Sequence, residues 1–198
     1  MKVILPTLGD FANGIFAVLL TCFIFNTSVL WWYFPISFAL SLLPDIDAVP
    51  ELLKYGQVGK RQADGAFAMD HRSYLHYPLV YLALGLMVVN FSYFFGVLFL
   101  LAVTLHFLRD LVGTGWGVKL FWPVSRKNYK LFTSDTNAIS TTKKEPVVSW
   151  TDEELPGLIE AHGDEDWIEK TYLRLTWISG VEYTLFAVAV LLMVLSLL

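Results

Sequence analysis

Charge is scarce in this sequence. Of its 198 residues, 16% are Asp, Glu, Lys or Arg and 56% are hydrophobic, with a mean hydropathy of +0.55. Soluble domains carry roughly 25% charged residues, so this chain has too few charges to cover a water-facing surface of its size. Cysteine is scarcer still. The single Cys22 lies in an apolar run, which excludes an internal disulfide and any zinc site built on several thiolates. A basic excess is also missing, since the formal net charge is -4; no nucleic-acid partner is expected. So much apolar residue excludes a disordered chain. What remains is an integral membrane protein with one modest soluble portion.

The charges are absent in blocks. None occurs in the 34 residues from Phe11 to Pro44 or in the 36 from Ser73 to Leu108, and from Leu175 to Leu198 the sole charge is Glu182. A spanning helix needs about 20 residues, so each block has the length of two short spans and a tight turn. Asn26-Thr27-Ser28 and Asn90-Phe91-Ser92 supply turn residues near the two midpoints. Backbone groups in lipid must be bonded within their own segment, which favours helix. The expected fold is all-α, a polytopic membrane bundle of about five helices over 11–26, 29–44, 76–90, 92–112 and 176–197. The alternative for the two short N-terminal helices is a re-entrant hairpin. A four-helix membrane region over 1–112, a cytoplasmic interfacial and acidic segment over 113–175 and a last helix over 176–198 would follow. No small-x-small cleavage site follows the first apolar run, so the N-terminus is expected to stay uncleaved.

Each hairpin returns the chain to the side it left. The N-terminus, the 45–75 loop and the 113–175 segment then share one side, and all 14 Lys and Arg fall there. By the positive-inside rule that side is cytoplasmic. The expected location is the inner (plasma) membrane, with the N-terminus inside and the C-terminus outside.

The ionisable residues at the helix ends form three clusters on that face: Pro44-Asp45-Ile46-Asp47, His71-Arg72 through His76, and His106 through Arg109-Asp110. His106 and Asp110 are i,i+4 and share a helix face. Asp45 and Asp47 are i,i+2 behind a proline and converge only in a turn. His71 and His76 do not superpose on one helix face. Three carboxylates and three imidazoles suit zinc, with manganese or iron as alternatives, better than calcium or magnesium. Six such groups could hold one ion with an outer shell, or two ions. The rival is a metal-free ion-pair cluster in which Arg72 and Arg109 neutralise the acids. Charge at membrane depth costs roughly 2.5–3.5 kcal/mol per group on insertion scales, so chance placement is the weaker explanation. Arg72 and Arg109 are also suited to a substrate phosphate or carboxylate, the alternative being interfacial snorkelling.

Leu43-Pro44-Asp45-Ile46-Asp47, His71-Arg72-x3-His76, His106-x3-Asp110, and Gly115-x-Gly117 through Leu120-Phe121-Trp122-Pro123-Val124-Ser125 together resemble the YdjM-type (DUF457) family. The resemblance covers about residues 40–132. It implies an inner-membrane metal-dependent hydrolase with ligands drawn from Asp45, Asp47, His71, His76, His106 and Asp110. A more distant likeness to zinc phospholipase C and P1-nuclease proteins implies a phosphoester substrate. Two departures stand out. Family members often have a His-containing segment where Leu8-Gly9-Asp10-Phe11 stands here, so either Asp10 replaces that ligand or nothing does. The family's His-Arg-Gly-x-Thr-His-Ser pattern reads His71-Arg72-Ser73-Tyr74-Leu75-His76-Tyr77, without the hydroxyls around the second His.

In the soluble segment, Trp116 to Phe132 mixes aromatic and basic residues, which favours headgroup anchoring. Gly113, Gly115 and Gly117 would also permit a close turn back over the site. Residues 133–147 read as an exposed loop. Thr151 and Glu154 form a capping-box pattern. Eight acids between Asp152 and Glu169 face no Lys or Arg; His162 in that run reads as an exposed loop residue, and Glu182 as facing either the site or the headgroups. In mechanism, a divalent metal would activate water, Asp45 or Asp47 would act as general base, and Arg72 or Arg109 would hold the substrate anion. The expected partners are membrane lipids and an amphiphilic phosphoester. The alternative function is a non-enzymatic membrane protein with a structural metal or ion-pair cluster and a partner-binding acidic segment.

Overall fold

A computed structural model describes residues 4–59, 72, 74–132 and 146–198. Helix dominates. Helix α1 (Ile4–Ile24) is followed by α2 (Tyr33–Ser41), a 3-10 turn (Pro44–Ala48) and α3 (Val49–Tyr55). Next come α4 (Pro78–Phe91), α5 (Tyr93–Val112), strands β1 (Asn128–Leu131) and β2 (Val147–Trp150), α6 (Leu155–His162), a π turn (Glu169–Leu173) and α7 (Trp177–Leu197). Helices α1, α5 and α7 have 21, 20 and 21 residues and are long and apolar enough to cross a membrane; at 1.5 Å per residue each reaches about 30 Å.

Helix α1 packs against α2, α5 and α7, and α4 lies along α5. The shared core contains Ala12, Ile15, Val18, Cys22, Phe34 and Leu98. Small residues bring the helices close. A Cβ on Gly14 would meet the Phe38 ring at 2.6 Å, and the hydroxyls of Ser37 and Ser41 donate to the Gly14 and Asp10 carbonyls, both at 2.9 Å. These bonds fasten α2 antiparallel to the site end of α1.

The two turn signals act as read. Asn26 takes a left-handed conformation (φ 48°), and Thr27 N–H donates to the Cys22 carbonyl while Asn26 N–H donates to that of Phe23, a Schellman ending with Asn in place of Gly. Ser92 caps α5 by accepting from Phe95 N–H.

The boundaries differ from expectation in two places. Helix α1 is already formed at Ile4, ahead of the expected residue 11, and Pro6 lies near its N-terminus, where a missing N–H costs little. Asp10 is thereby inside the helix. The helix expected over 29–44 is shorter: α2 has nine residues, about 13 Å. Residues after the Asn26 cap stay in turns, and Pro44 lacks the N–H needed to continue an α-helix and opens the 3-10 turn instead.

A small sheet in the soluble segment was not expected. Strand β1 pairs antiparallel with β2, Asn128 opposite Trp150 and Leu131 opposite Val147. An added bridge, Val118 to Tyr129, folds the chain back beneath the end of α5. Of the expected loop over 133–147, residues 133–145 lie outside the described residues and Val147 opens β2. The capping box forms: Thr151 N–H donates to Glu154 Oε2 at 2.8 Å and Glu154 N–H to Thr151 Oγ1 at 3.3 Å. His162 is the last residue of α6 and half-buried.

Candidate metal centre

Each element delivers one part of the site. The 3-10 turn brings Asp45 and Asp47, the stretch before α4 brings His76, and the last two turns of α5 bring His106 and Asp110 on one face. Asp45, His76, His106 and Asp110 each point an atom into one space, and these four atoms lie within 4.8 Å of one another. His76 Nε2 is 3.3 Å from both Asp45 Oδ1 and Asp110 Oδ2. His106 Nε2 is 3.6 Å from Asp45 Oδ1 and 3.4 Å from Asp110 Oδ2. A tetrahedron with bonds of about 2.0–2.1 Å, the usual zinc distances to nitrogen and oxygen, has edges of about 3.3–3.4 Å. Four of the six edges between these atoms, at 3.3–3.6 Å, are close to that size.

The opposite ring nitrogens are tied down. His76 Nδ1 lies 3.1 Å from Asp47 Oδ2, which also accepts from the backbone N–H of Arg72 at 3.0 Å and Leu75 at 3.3 Å. His106 Nδ1 lies 2.8 Å from Asp10 Oδ1. A carboxylate accepts, so in the neutral imidazole the proton belongs on each Nδ1, which leaves the Nε2 lone pair available to a cation at the centre. Carboxylates behind the imidazoles are the usual support of a histidine-metal site. His106 Nε2 and Asp110 Oδ2 are buried without a hydrogen-bond partner of ordinary geometry among the described residues, which is costly in a closed polar site unless a cation completes it. The donor set therefore fits a divalent ion, with Asp47 placed behind His76 rather than among the four converging atoms. His71 lies outside the described residues.

Two guanidiniums flank the centre. Arg72, in a left-handed conformation (φ 68°), donates to Asp110 Oδ1 at 2.6 Å and to the Thr114 carbonyl at 3.0 Å; its Nε is buried with no partner among the described residues. A Cβ on Gly115 would lie 2.3 Å from Arg72 Nη1, so only glycine leaves room. Arg109 donates to Asp10 Oδ2 at 2.7 Å, to Glu182 Oε1 at 2.9 Å and to the Pro6 carbonyl. Its polar atoms face α1 and α7.

Below α5, Lys130 is fully buried on β1, and its Nζ donates to the carbonyls of Gly113 and, at 3.3 Å, Asp110. A cation at a helix C-terminus meets orphan carbonyls. Burial, reinforced by Arg72, holds its pKa well below the usual lysine value. At His76 burial alone would lower the pKa, but hydrogen bonds to Asp110, Asp45 and Asp47 outweigh it and push it up to about 9.

Sequence reasoning left Asp10 and Glu182 without a role and missed Lys130. The first two carried a signal: each is the lone charge within a long apolar helix stretch. Lys130 carried none, because a basic residue in an aromatic-basic segment reads as a headgroup anchor.

The family model described as "YdjM inner membrane protein" matches residues 6–197. No curated protein and no solved structure matches the chain, so the likeness to zinc phospholipase C finds no support. With the match running across nearly all of its helices, the chain belongs to the YdjM inner membrane protein family.

Proposed function

We propose that the protein is a membrane-embedded, zinc-dependent hydrolase working at the cytoplasmic leaflet on an amphiphilic phosphoester such as a phospholipid. The observation that carries this reading is the convergence of Asp45, His76, His106 and Asp110, with both histidines braced from behind by carboxylates. A divalent ion held there would supply Lewis-acid activation of the scissile bond and of water. Asp45 has the only quartet side chain open to solvent, at 26% against 4% or less for the others, which suits it as the group that takes the proton of the attacking water. Arg72 suits the substrate anion, because its guanidinium stands beside the quartet on Asp110 and has a buried Nε with no partner among the described residues. Arg109, engaged on three sides, suits a supporting role. Asp47 holds His76 in its tautomer. The basic residues confined to the site side favour a cytoplasmic N-terminus and an outer C-terminus.

Metal analysis of the purified protein is the first test. The expected result is bound zinc in the wild type and loss of it in His106→Ala. Turnover of bis(p-nitrophenyl) phosphate and of phospholipid vesicles should then disappear in Asp45→Asn with helix content and melting unchanged. Bound metal without turnover would favour a structural metal staple; no bound transition metal in the wild type would favour the ion-pair cluster.

A further inference from the structure

Glu182 lies in the second turn of α7, within a run of apolar residues, and is 6% exposed. Both its oxygens are used. Oε1 accepts from Arg109 Nε at 2.9 Å and Oε2 from the Tyr172 hydroxyl at 3.0 Å. Arg109 Nη1 donates to Asp10 Oδ2 at 2.7 Å, and the other oxygen of the same carboxylate meets His106 Nδ1 at 2.8 Å. A continuous chain of charge-assisted hydrogen bonds thus runs from α7 through α5 and α1 to an imidazole of the metal quartet. The fit is close: a Cβ on Gly9 would lie 2.5 Å from Arg109 Nε.

We propose that Glu182 is a positioning residue of the metal centre, so that docking of the C-terminal helix α7 and metal binding reinforce each other. This rests on the quartet holding a metal. Asp10 can brace His106 only where its carboxylate is held, and Arg109 holds it. Arg109 in turn is aimed by Glu182 from the side opposite Asp10. Removing an outer-shell partner of a metal-bound histidine costs about 10–100-fold in affinity, and Glu182 stands two bonds further back, so its effect is smaller. Helix α7 packs apolar side chains such as Phe186, Ala189 and Val190 against the shared core, and Glu182 adds a polar contact at its site end. Coupling is reciprocal: if α7 sharpens the metal site, the metal must tighten α7.

The test uses full-length protein in detergent or nanodiscs with Co²⁺ and Zn²⁺ as probes. The expected result is a Zn²⁺ affinity lowered about tenfold or more in Asp10→Asn and about three- to tenfold in Glu182→Gln. The Co²⁺ d–d spectrum should shift in both. Gly9→Ala, which displaces Arg109 without removing a charge, should behave like Glu182→Gln. Thr184→Ala, at an exposed α7 position, should match the wild type. Hydrogen exchange should show Zn²⁺ protecting the first turns of α7 in the wild type and not in Glu182→Gln. Unchanged affinity and spectrum in a folded Glu182→Gln protein that still binds metal would overturn the proposal and leave the metal site standing. A wild type that binds neither ion would overturn both.

Discussion

Asp10 and His106 stand 96 positions apart in the chain and meet at 2.8 Å, Oδ1 to Nδ1, in a pocket that excludes water from both side chains. The contact joins the first and fifth helices about 9 Å in from the end of α5, counting six residues at 1.5 Å. Polar groups at such depth are stable only when fully paired. Among the described residues, the carboxylates of Asp10, Asp45, Asp47, Asp110 and Glu182 gather around the guanidiniums of Arg72 and Arg109, with Lys130 on the backbone carbonyl of Asp110. A divalent cation would offset negative charge among these groups without protonating the histidines.

Metal affinity will depend steeply on pH. His76 has a pKa of about 9 in the metal-free site, against an ordinary 6.5. A raised pKa contributes stability that is present below about 6.5 and lost as pH rises through about 9, so the metal-free protein should melt lower at pH 9 than at pH 6. Binding runs the other way, because the metal needs neutral imidazole. Affinity should climb about tenfold per pH unit toward pH 9. Calorimetry in buffers of different ionisation enthalpy should detect at least one proton released per ion at pH 7.5. A flat affinity from pH 6 to 9 would remove His76 from the ligand set.

Gly115→Ala should cripple the site from outside it. Gly115 has φ of 89°, and the new methyl would collide with Arg72 Nη1. A strained residue of this kind costs about 1–3 kcal/mol, and Arg72 would lose its hold on Asp110. Thermal melts and turnover should both fall. A Gly113→Ala variant, whose Cβ meets the Arg109 carbonyl at 2.8 Å, should affect stability more than turnover.

Lys130→Met should lower stability by about 1–3 kcal/mol, because the carbonyls of Gly113 and Asp110 would be buried without a donor. The variant keeps the volume and the apolar stem, so the loss reports the hydrogen bonds. Denaturation in mild detergent would measure it; an unchanged midpoint would mean water replaces the ammonium.

Orientation can be read with reporters. Alkaline phosphatase fused after Leu198 should be active and a fluorescent protein fused there dark, while a fluorescent protein before Met1 should be bright. The reverse pattern would invert the topology and move the metal centre to the outer face.

Much was legible from residue order because the membrane penalises misplaced charge. The long apolar stretches around α1, α5 and α7 follow from gaps between charges, and Asn26 and Ser92 ended and began helices where the turn chemistry asked. The His106–Asp110 spacing put both on one helix face, and the energetic cost of charge at helix ends marked Asp45 and His76 beside them. Other features depended on packing. At three residues per turn, the 3-10 geometry of Pro44–Ala48 turns Asp45 and Asp47 to different faces, one toward the centre and one toward the back of His76; i,i+2 spacing is silent on which. The shortening of α2, the pairing of β1 with β2 and the burial of Lys130 came from contacts between distant segments.

Sequence by itself determined that this is a helical membrane protein with acids and histidines collected near helix ends, because the length of apolar runs and the penalty on charge act locally along the chain. Only the tertiary structure decided which of those groups converge and which stand behind them. The bonds of Asp10, Arg109 and Glu182 join three helices, and no spacing along one helix encodes the distance to another.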